Sequence, residues 1–371
     1  MILFLTPSIK NPSYDRVGGG IRSNIEFIKF LSQRHEVTVV TVALSNNWDE
    51  MIFNKNVTVI KLPGNYTFTK WLVCFFSLNY LINDIVSTKQ VSHVFSTRSL
   101  SINAARIKKR FKIPYTIITR AYEDYSEIKK EKSSNLLKNW VKNTFISEKL
   151  NLAYHSADSI MFNSIFLRDY YFKNLMLNKK SYIQYPTVHL NNENARVKKI
   201  RNVGFIDKNN NKGSNVVKFL ILNNPNLQFK VFGETNLSDS IAENVNLRGY
   251  IENPDKIYEQ IDLLLVPSQW PEPFGRVAVE AQDAGIPVLV SDKGGIIEAV
   301  PDPLFRVSPH DCLETWNKRL KELCCMKPET LRERFLINRH KFLSNYEEIN
   351  SRFSHDIDAK VLSKFTPNDV E

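Results

Sequence analysis

Two glutamates, Glu272 and Glu280, stand on either side of Pro273-Phe274-Gly275 in the stretch PSQWPEPFGRVAVEAQDAGIPVLVSDKGG, residues 267–295. A carboxylate beside a glycine turn can accept hydrogen bonds from two sugar hydroxyls at once. A second carboxylate further along the same side can hold another polyol, such as a ribose. A helix that begins between them offers unpaired backbone N–H groups and a positive dipole end, which suit phosphate and hydroxyl ligands. Gly275 lets such a ligand come close to the backbone. Two acids spaced in this way fit an extended ligand with hydroxyls at both ends and phosphates between. A second candidate is RVGGGIRSN, where Gly18, Gly19 and Gly20 fall between a strand and a helix. Triple glycine permits unusual backbone angles and close approach to an anion. It is not G-x-G-x-x-G, so the dinucleotide fingerprint is absent.

These residues need elements to position them. IDLLLVPS reads as a strand running into a loop, SQWPEPFG as a turn, and RVAVEAQDAG as a helix with Gly285 as its C-cap and Pro287 just beyond. Upstream, MILFLT, HEVTVVTVAL, VSHVFST, YTIITR and DSIMFN are strand candidates, with helical patterns such as GGIRSNIEFIKFLSQR and SINAARIKKRF between them. This βαβα rhythm predicts a parallel sheet covered by helices. The rhythm restarts after a polar stretch at 186–199 with IRNVGFI, QFKVFGE, NVNLRGYI, DLLLVPS, PVLVSD and LFRVS. Two α/β domains follow, 1–187 and 188–345. In open parallel sheets ligands bind at the carboxyl ends of the strands.

EPFGRVAVE resembles the E-x7-E motif of retaining GT-B glycosyltransferases of the family-four type. The similarity continues through EAQDAGIPVLVSDKGG to the closing GGIIE, and back through VGFIDKNNNKG, FKVFGE and NVNLRGYI. It implies an α/β GT-B fold, two Rossmann-like domains facing across a cleft, with a C-terminal helix at about 346–371 packing back on the N-terminal domain. It implies that Glu272 holds the donor sugar's hydroxyls and that Pro273, Phe274 and Gly275 present backbone to that sugar. Glu280 resembles the ribose acid. Lys212 resembles the lysine that neutralises the donor diphosphate, and a cation there suits a leaving group that gains charge as the glycosidic bond breaks. Gly204, Tyr250 and Arg276 fall in the donor region, and the loop with Gly19 and Gly20 lies beside the donor phosphates and the acceptor. The sequence departs from the pattern twice. Phe205 follows Gly204 where the family has an arginine, leaving Lys208 or Arg276 as substitute cations. Arg120, followed by Tyr122, Glu123 and Asp124, stands where the family has a histidine, so Arg120 and Asp124 are the candidates for the donor-sugar and acceptor roles there.

The expected activity is transfer of a sugar, with retention, from a UDP- or GDP-linked donor to a glycan or lipid-linked acceptor in bacterial surface polysaccharide assembly. It needs no metal and no cofactor. A GT-B sugar-nucleotide epimerase and a non-catalytic GT-B binding subunit are the alternatives. The 371-residue chain has a net charge of +11, and its halves differ: residues 1–187 hold 26 Lys and Arg against 13 Asp and Glu. A basic half predicts an anionic partner. The apolar WLVCFFSLNYLI (71–82) and the basic, Trp-bearing KKEKSSNLLKNWVKNTFISEKL (129–150) point to a peripheral face on an anionic membrane, on its cytoplasmic side. No recognition or base-stacking motif supports a nucleic-acid partner. No apolar run reaches the ~18 residues of a membrane span. The four cysteines have no metal or redox spacing and read as reduced thiols.

Overall fold

The computed structural model describes residues 1–10, 18–44, 52–61, 79–128, 146–186, 195–207, 212–251 and 253–357. The chain divides into two compact units, Met1–Tyr185 with Ile349–Glu371, and Pro186–Glu348.

The first unit holds a seven-stranded sheet in the order β3-β2-β1-β4-β5-β6-β7. The strands are β1 (Ile2–Ile9), β2 (Val37–Leu44), β3 (Val57–Lys61), β4 (His93–Thr97), β5 (Tyr115–Thr119), β6 (Ser159–Phe162) and β7 (Lys180–Ile183). Every pairing is parallel. A parallel sheet is covered on both faces, so its central strands are apolar almost throughout. In β1 the alternation is visible only in where the side chains go. Leu3 and Leu5 join one core cluster, and Ile2 and Phe4 join the other. On the second face the helix Gly19–Ser32 sets Phe27 edge-on to Phe95, with centroids 5.1 Å apart. The long helix Pro328–Ile357 begins in the second unit and ends in the first, where Phe353 packs 5.9 Å from the Phe27 ring. The Asn350 side chain there accepts from the Tyr185 amide at 3.1 Å.

Two strands were not among the sequence candidates, VTVIK of β3 and KSYI of β7. Both lie at the edges of the sheet. An edge strand is less covered and can carry exposed polar positions, so no continuous apolar run announces it.

The second unit holds a six-stranded parallel sheet in the order β10-β9-β8-β11-β12-β13. Its strands are β8 (Asn202–Asp207), β9 (Gln228–Gly233), β10 (Val245–Gly249), β11 (Leu263–Val266), β12 (Val288–Ser291) and β13 (Arg306–Val307). Five fall inside one of the six runs read from the sequence, and β8 extends one residue past its run, to Asp207. Asp262, at the start of β11, accepts from the Arg201 and Asn202 amides at 3.1 and 2.8 Å, so it stitches the entry of β8 to that of β11. Strand order reverses between β1 and β4 in the first sheet and between β8 and β11 in the second. Loops leaving neighbouring strands there turn away from each other and open a crevice at the strands' carboxyl ends. Among the described residues no helix is long and apolar enough to cross a membrane. Residues 62–78 and 129–145, with most of both stretches expected to face a membrane, lie outside the described residues, as does Lys208.

Candidate active site

The loops after β8 and β11 meet at the switch point of the second sheet. Gly213, φ +87°, caps the helix Ser214–Asn223 and follows directly on Lys212. A Cβ at 213 would overlap the Pro267 carbonyl oxygen in the loop after β11, so only glycine lets the two loops close on each other. The closure brings Lys212 Nζ to 2.5 Å from Glu272 Oε1. Ser268 Oγ donates to the same oxygen at 2.6 Å, and Trp270 Nε1 at 3.2 Å. Lys212 Nζ also stands 5.8 Å from the centre of the Trp270 ring. Three donors therefore saturate Oε1, while none of the described residues donates to Oε2. The Glu272 side chain is 8% exposed, and that of Lys212 23%. The backbone of Glu272 is held as well. It bridges Gly294, and its carbonyl accepts from the Gly295 amide at 2.7 Å.

Support for the lysine turn comes from Asp207 at the end of β8. Its Oδ2 accepts from Ser214 Oγ at 2.9 Å and from Thr235 Oγ1 at 2.7 Å, tying the strand to the helix that follows Lys212 and to the loop after β9.

Gly275 caps the helix Arg276–Asp283 with φ +90° and no side-chain cap. Phe274 before it is 1% exposed, its ring 6.4 Å from that of Phe342, so the Pro273–Gly275 backbone rests on a fixed anchor. On the same helix Arg276 Nε lies 3.4 Å from Glu280 Oε1, and Tyr258 Oη donates to Glu280 Oε2 at 3.4 Å. Arg276 is thus engaged by Glu280 within the helix. Phe205, in the position of the family's arginine, is 1% exposed in the core and brings no cation. Gly204 is explained by packing, since a Cβ there would lie 2.6 Å from Ile261 Cδ1. Tyr250 follows Gly249 and is 48% exposed.

The same helix ends in a partly buried ion pair. Arg339 donates to the Gln282 carbonyl oxygen and, at 3.2 Å, to Asp283 Oδ1. Burial pushes the Asp283 carboxyl up to about 7; Arg339 opposes that rise and Glu280 adds to it. A carboxyl whose folded pKa lies above its ordinary 3.8 contributes most to stability below that value, and the contribution is lost as pH rises through about 7. The stability of the native chain minus that of Asp283→Asn is therefore expected to fall between pH 5 and pH 8. Thermal unfolding of both proteins across that range checks it, and a difference that stays level or grows would refute it.

In the first unit the triple glycine takes no unusual angle. Gly18 caps the helix Gly19–Ser32 in an extended conformation, φ −68° and ψ 151°, and neither Gly19 nor Gly20 has positive φ. Gly19 and Gly20 are instead the exposed opening residues of a 14-residue helix. A Cβ on Gly20 would meet Arg120 Cβ at an ordinary 3.5 Å. Arg120 donates to Gln184 Oε1 at 2.7 Å and to Asn24 Oδ1 at 3.4 Å. Asp124 is 4% exposed, and its Oδ2 accepts from Tyr154 Oη at 2.6 Å, in a chain that continues to Thr119 at 2.7 Å. Ser268 and Trp270 were not among the sequence candidates, although both lie in the quoted loop, four and two residues before Glu272.

Two parallel-sheet Rossmann-like units define the GT-B fold. The family described as "Glycosyl transferases group 1" matches residues 212–334, which include Lys212, Glu272 and Glu280, so the chain carries a domain of that family there. A Klebsiella pneumoniae protein described as an uncharacterized 42.6 kDa protein in the cps region is 41% identical over 71 residues, 19% of this chain and 17% of that protein. The lipopolysaccharide 1,2-N-acetylglucosaminetransferase of Salmonella typhimurium is 52% identical over 54 residues, 14% of each chain. The matched segments thus span less than a fifth of these relatives' own length. Among solved structures, sucrose-phosphate synthase from Thermosynechococcus elongatus superposes with a TM-score of 0.74 at 14% identity, over 98% of this chain and 99% of that one. Anabaena HepE in complex with UDP gives a TM-score of 0.67 at 16% identity, over 96% and 99%. At these identities the likeness is one of fold.

Proposed function

We propose that the chain is a retaining glycosyltransferase, independent of metal, that moves a sugar from a UDP- or GDP-linked donor to a glycan or lipid-linked acceptor of bacterial surface polysaccharide. The observation that carries this reading is the Lys212–Glu272 pair at the switch point of the second sheet, inside the segment that matches the group 1 family. Lys212 neutralises the diphosphate as it gains charge on leaving. Glu272 keeps Oε2 for the donor sugar's hydroxyls, and a charged acceptor makes those hydrogen bonds strong. The Phe274 and Gly275 amides at the helix start lie beside the sugar, and Glu280 takes the ribose. The leaving phosphate draws the proton from the acceptor hydroxyl on the same face, so the anomeric configuration is kept. In the first unit Arg120, held by Gln184 and Asn24, is assigned the donor-sugar role, and Asp124, buried and bonded to the Tyr154 hydroxyl, is the weaker assignment, to the acceptor. The relatives from a cps region and from lipopolysaccharide synthesis support the acceptor class, and the excess of basic residues over 1–187 supports a peripheral place on the inner membrane face.

The test is a donor screen. The chain is incubated with single UDP-, GDP-, ADP- and CMP-linked sugars, and nucleotide release is followed by mass spectrometry with Glu272→Ala as control. Slow release from one donor, lost in the variant, is the expected result. Release of an altered sugar nucleotide without acceptor would indicate epimerisation. No release and no nucleotide binding would indicate a non-catalytic subunit.

A further inference from the structure

One side chain touches both charges of the pair. The Trp270 indole N–H reaches Glu272 Oε1, and its ring face lies within the usual ~6 Å of a cation–π contact with Lys212 Nζ. We propose that Trp270, with Ser268, is a positioning residue that holds the Glu272 carboxylate in one orientation when the donor diphosphate draws Lys212 away; this rests on the reading of Glu272 as the sugar-holding carboxylate.

Of the three donors on Oε1, only Lys212 is charged. Among the described residues Lys212 has no partner other than Glu272 and the Trp270 ring, and a diphosphate arriving at the switch point offers it more negative charge than one carboxylate. With Lys212 as its only donor, the carboxylate would lose its anchor at the moment the sugar needs it. Ser268 and Trp270 come from the same loop as Glu272 and are neutral, so a diphosphate does not compete for them. They keep Oε1 bonded through the reaction and leave Oε2 for the sugar. The loop itself is pinned at both ends, by β11 before Ser268 and by the Glu272–Gly294 bridge after it. The indole therefore acts on a carboxylate with little freedom beyond its terminal torsion, which is broad and soft in glutamate. A donor on one oxygen sets that torsion.

The ring and the N–H can be separated by substitution. Trp270→Phe keeps a ring under Lys212 and removes the N–H. It is expected to lower kcat for donor hydrolysis about tenfold and to leave the donor KM within about twofold, because an interaction that shapes only the transition state appears in kcat. Trp270→Leu removes both and is expected to raise KM several-fold as well. Ser268→Ala, which takes a donor from the same oxygen without touching the ring, is expected to reproduce the Trp270→Phe pattern. A merely structural role would lower the melting temperature without this split between kcat and KM. An unchanged kcat in Trp270→Phe, or an equal change in KM, would overturn the proposal. Crystal structures of Lys212→Met with and without Trp270→Phe, in which the lysine no longer anchors Oε1, give a reading that needs no turnover. A Glu272 carboxylate rotated in the double variant relative to Lys212→Met supports the positioning role, and the same orientation in both overturns it. If the native chain hydrolyses no donor, the glycosyltransferase reading fails, while the crystal structures still decide what Trp270 does.

Discussion

Glu272→Gln is expected to lower kcat/KM for the donor roughly a hundredfold while leaving the fold and nucleotide affinity near their native values. Glutamine keeps the volume of the side chain and an oxygen in the place of Oε1. Lys212, Ser268 and Trp270 therefore retain their acceptor. What is lost is the charge that makes the bonds to sugar hydroxyls strong. A hydrogen bond to a charged group contributes about 1.5–3 kcal/mol against about 1 kcal/mol for a neutral pair, so weakening two such bonds costs about 3 kcal/mol. Glu272→Ala is the harsher change. It leaves three donors facing a cavity, and each unsatisfied polar group costs about 1–3 kcal/mol of stability. The comparison of the two variants therefore separates chemistry from folding. Steady-state donor hydrolysis, thermal unfolding and calorimetric UDP or GDP binding measure the three quantities. A Glu272→Gln protein with native activity would remove Glu272 from the site.

The parts of this arrangement that could be read in advance share a physical character. DLLLVPS and PVLVSD are short apolar runs because β11 and β12 are buried on both faces. Their assignment followed from composition alone. The helix Arg276–Asp283 was legible through its punctuation, Gly275 before it and Gly285 after it, both in the left-handed region. The edge strands β3 and β7 were not legible, since a half-covered strand such as VTVIK needs no unbroken apolar run. Nor was the environment of Glu272. The lysine that pairs with it lies 60 positions away in the chain, and only the parallel neighbours β8 and β11 bring the two loops together. The donors Ser268 and Trp270 are near in sequence, but a serine and a tryptophan in a proline-rich turn carry no signature of their target. The glycines at 18–20 misled in the opposite way. Their type suggests special angles, yet the backbone there is extended at Gly18 and helical after it.

Gly213→Ala is expected to reduce donor kcat/KM by about a hundredfold although the residue has no functional group. At φ +87° an alanine is strained whatever the space around it, by roughly 1–2 kcal/mol. Its Cβ would also overlap the Pro267 carbonyl oxygen, which is backbone and cannot swing aside. The two loops must then part, and the parting moves Lys212 relative to Glu272. A displacement of about 1 Å at a positioned group can cost about a hundredfold in rate. A melting temperature lowered by several degrees accompanies the change. The loss then lies in the displacement of Lys212, which a background lacking Lys212 can check. Lys212→Met alone is expected to cost at least as much activity as Gly213→Ala. If the glycine acts through the lysine, then adding Gly213→Ala to Lys212→Met costs little further activity, although the stability penalty remains in full. Residues that share one interaction are non-additive in this way, whereas independent sites add within about 0.5 kcal/mol. Kinetics and thermal unfolding of the two single variants and the double variant close the cycle. Additive losses of activity would show that Gly213 shapes the site by some route other than Lys212, and the closure of the β8 and β11 loops would then have to be explained without the pair it brings together.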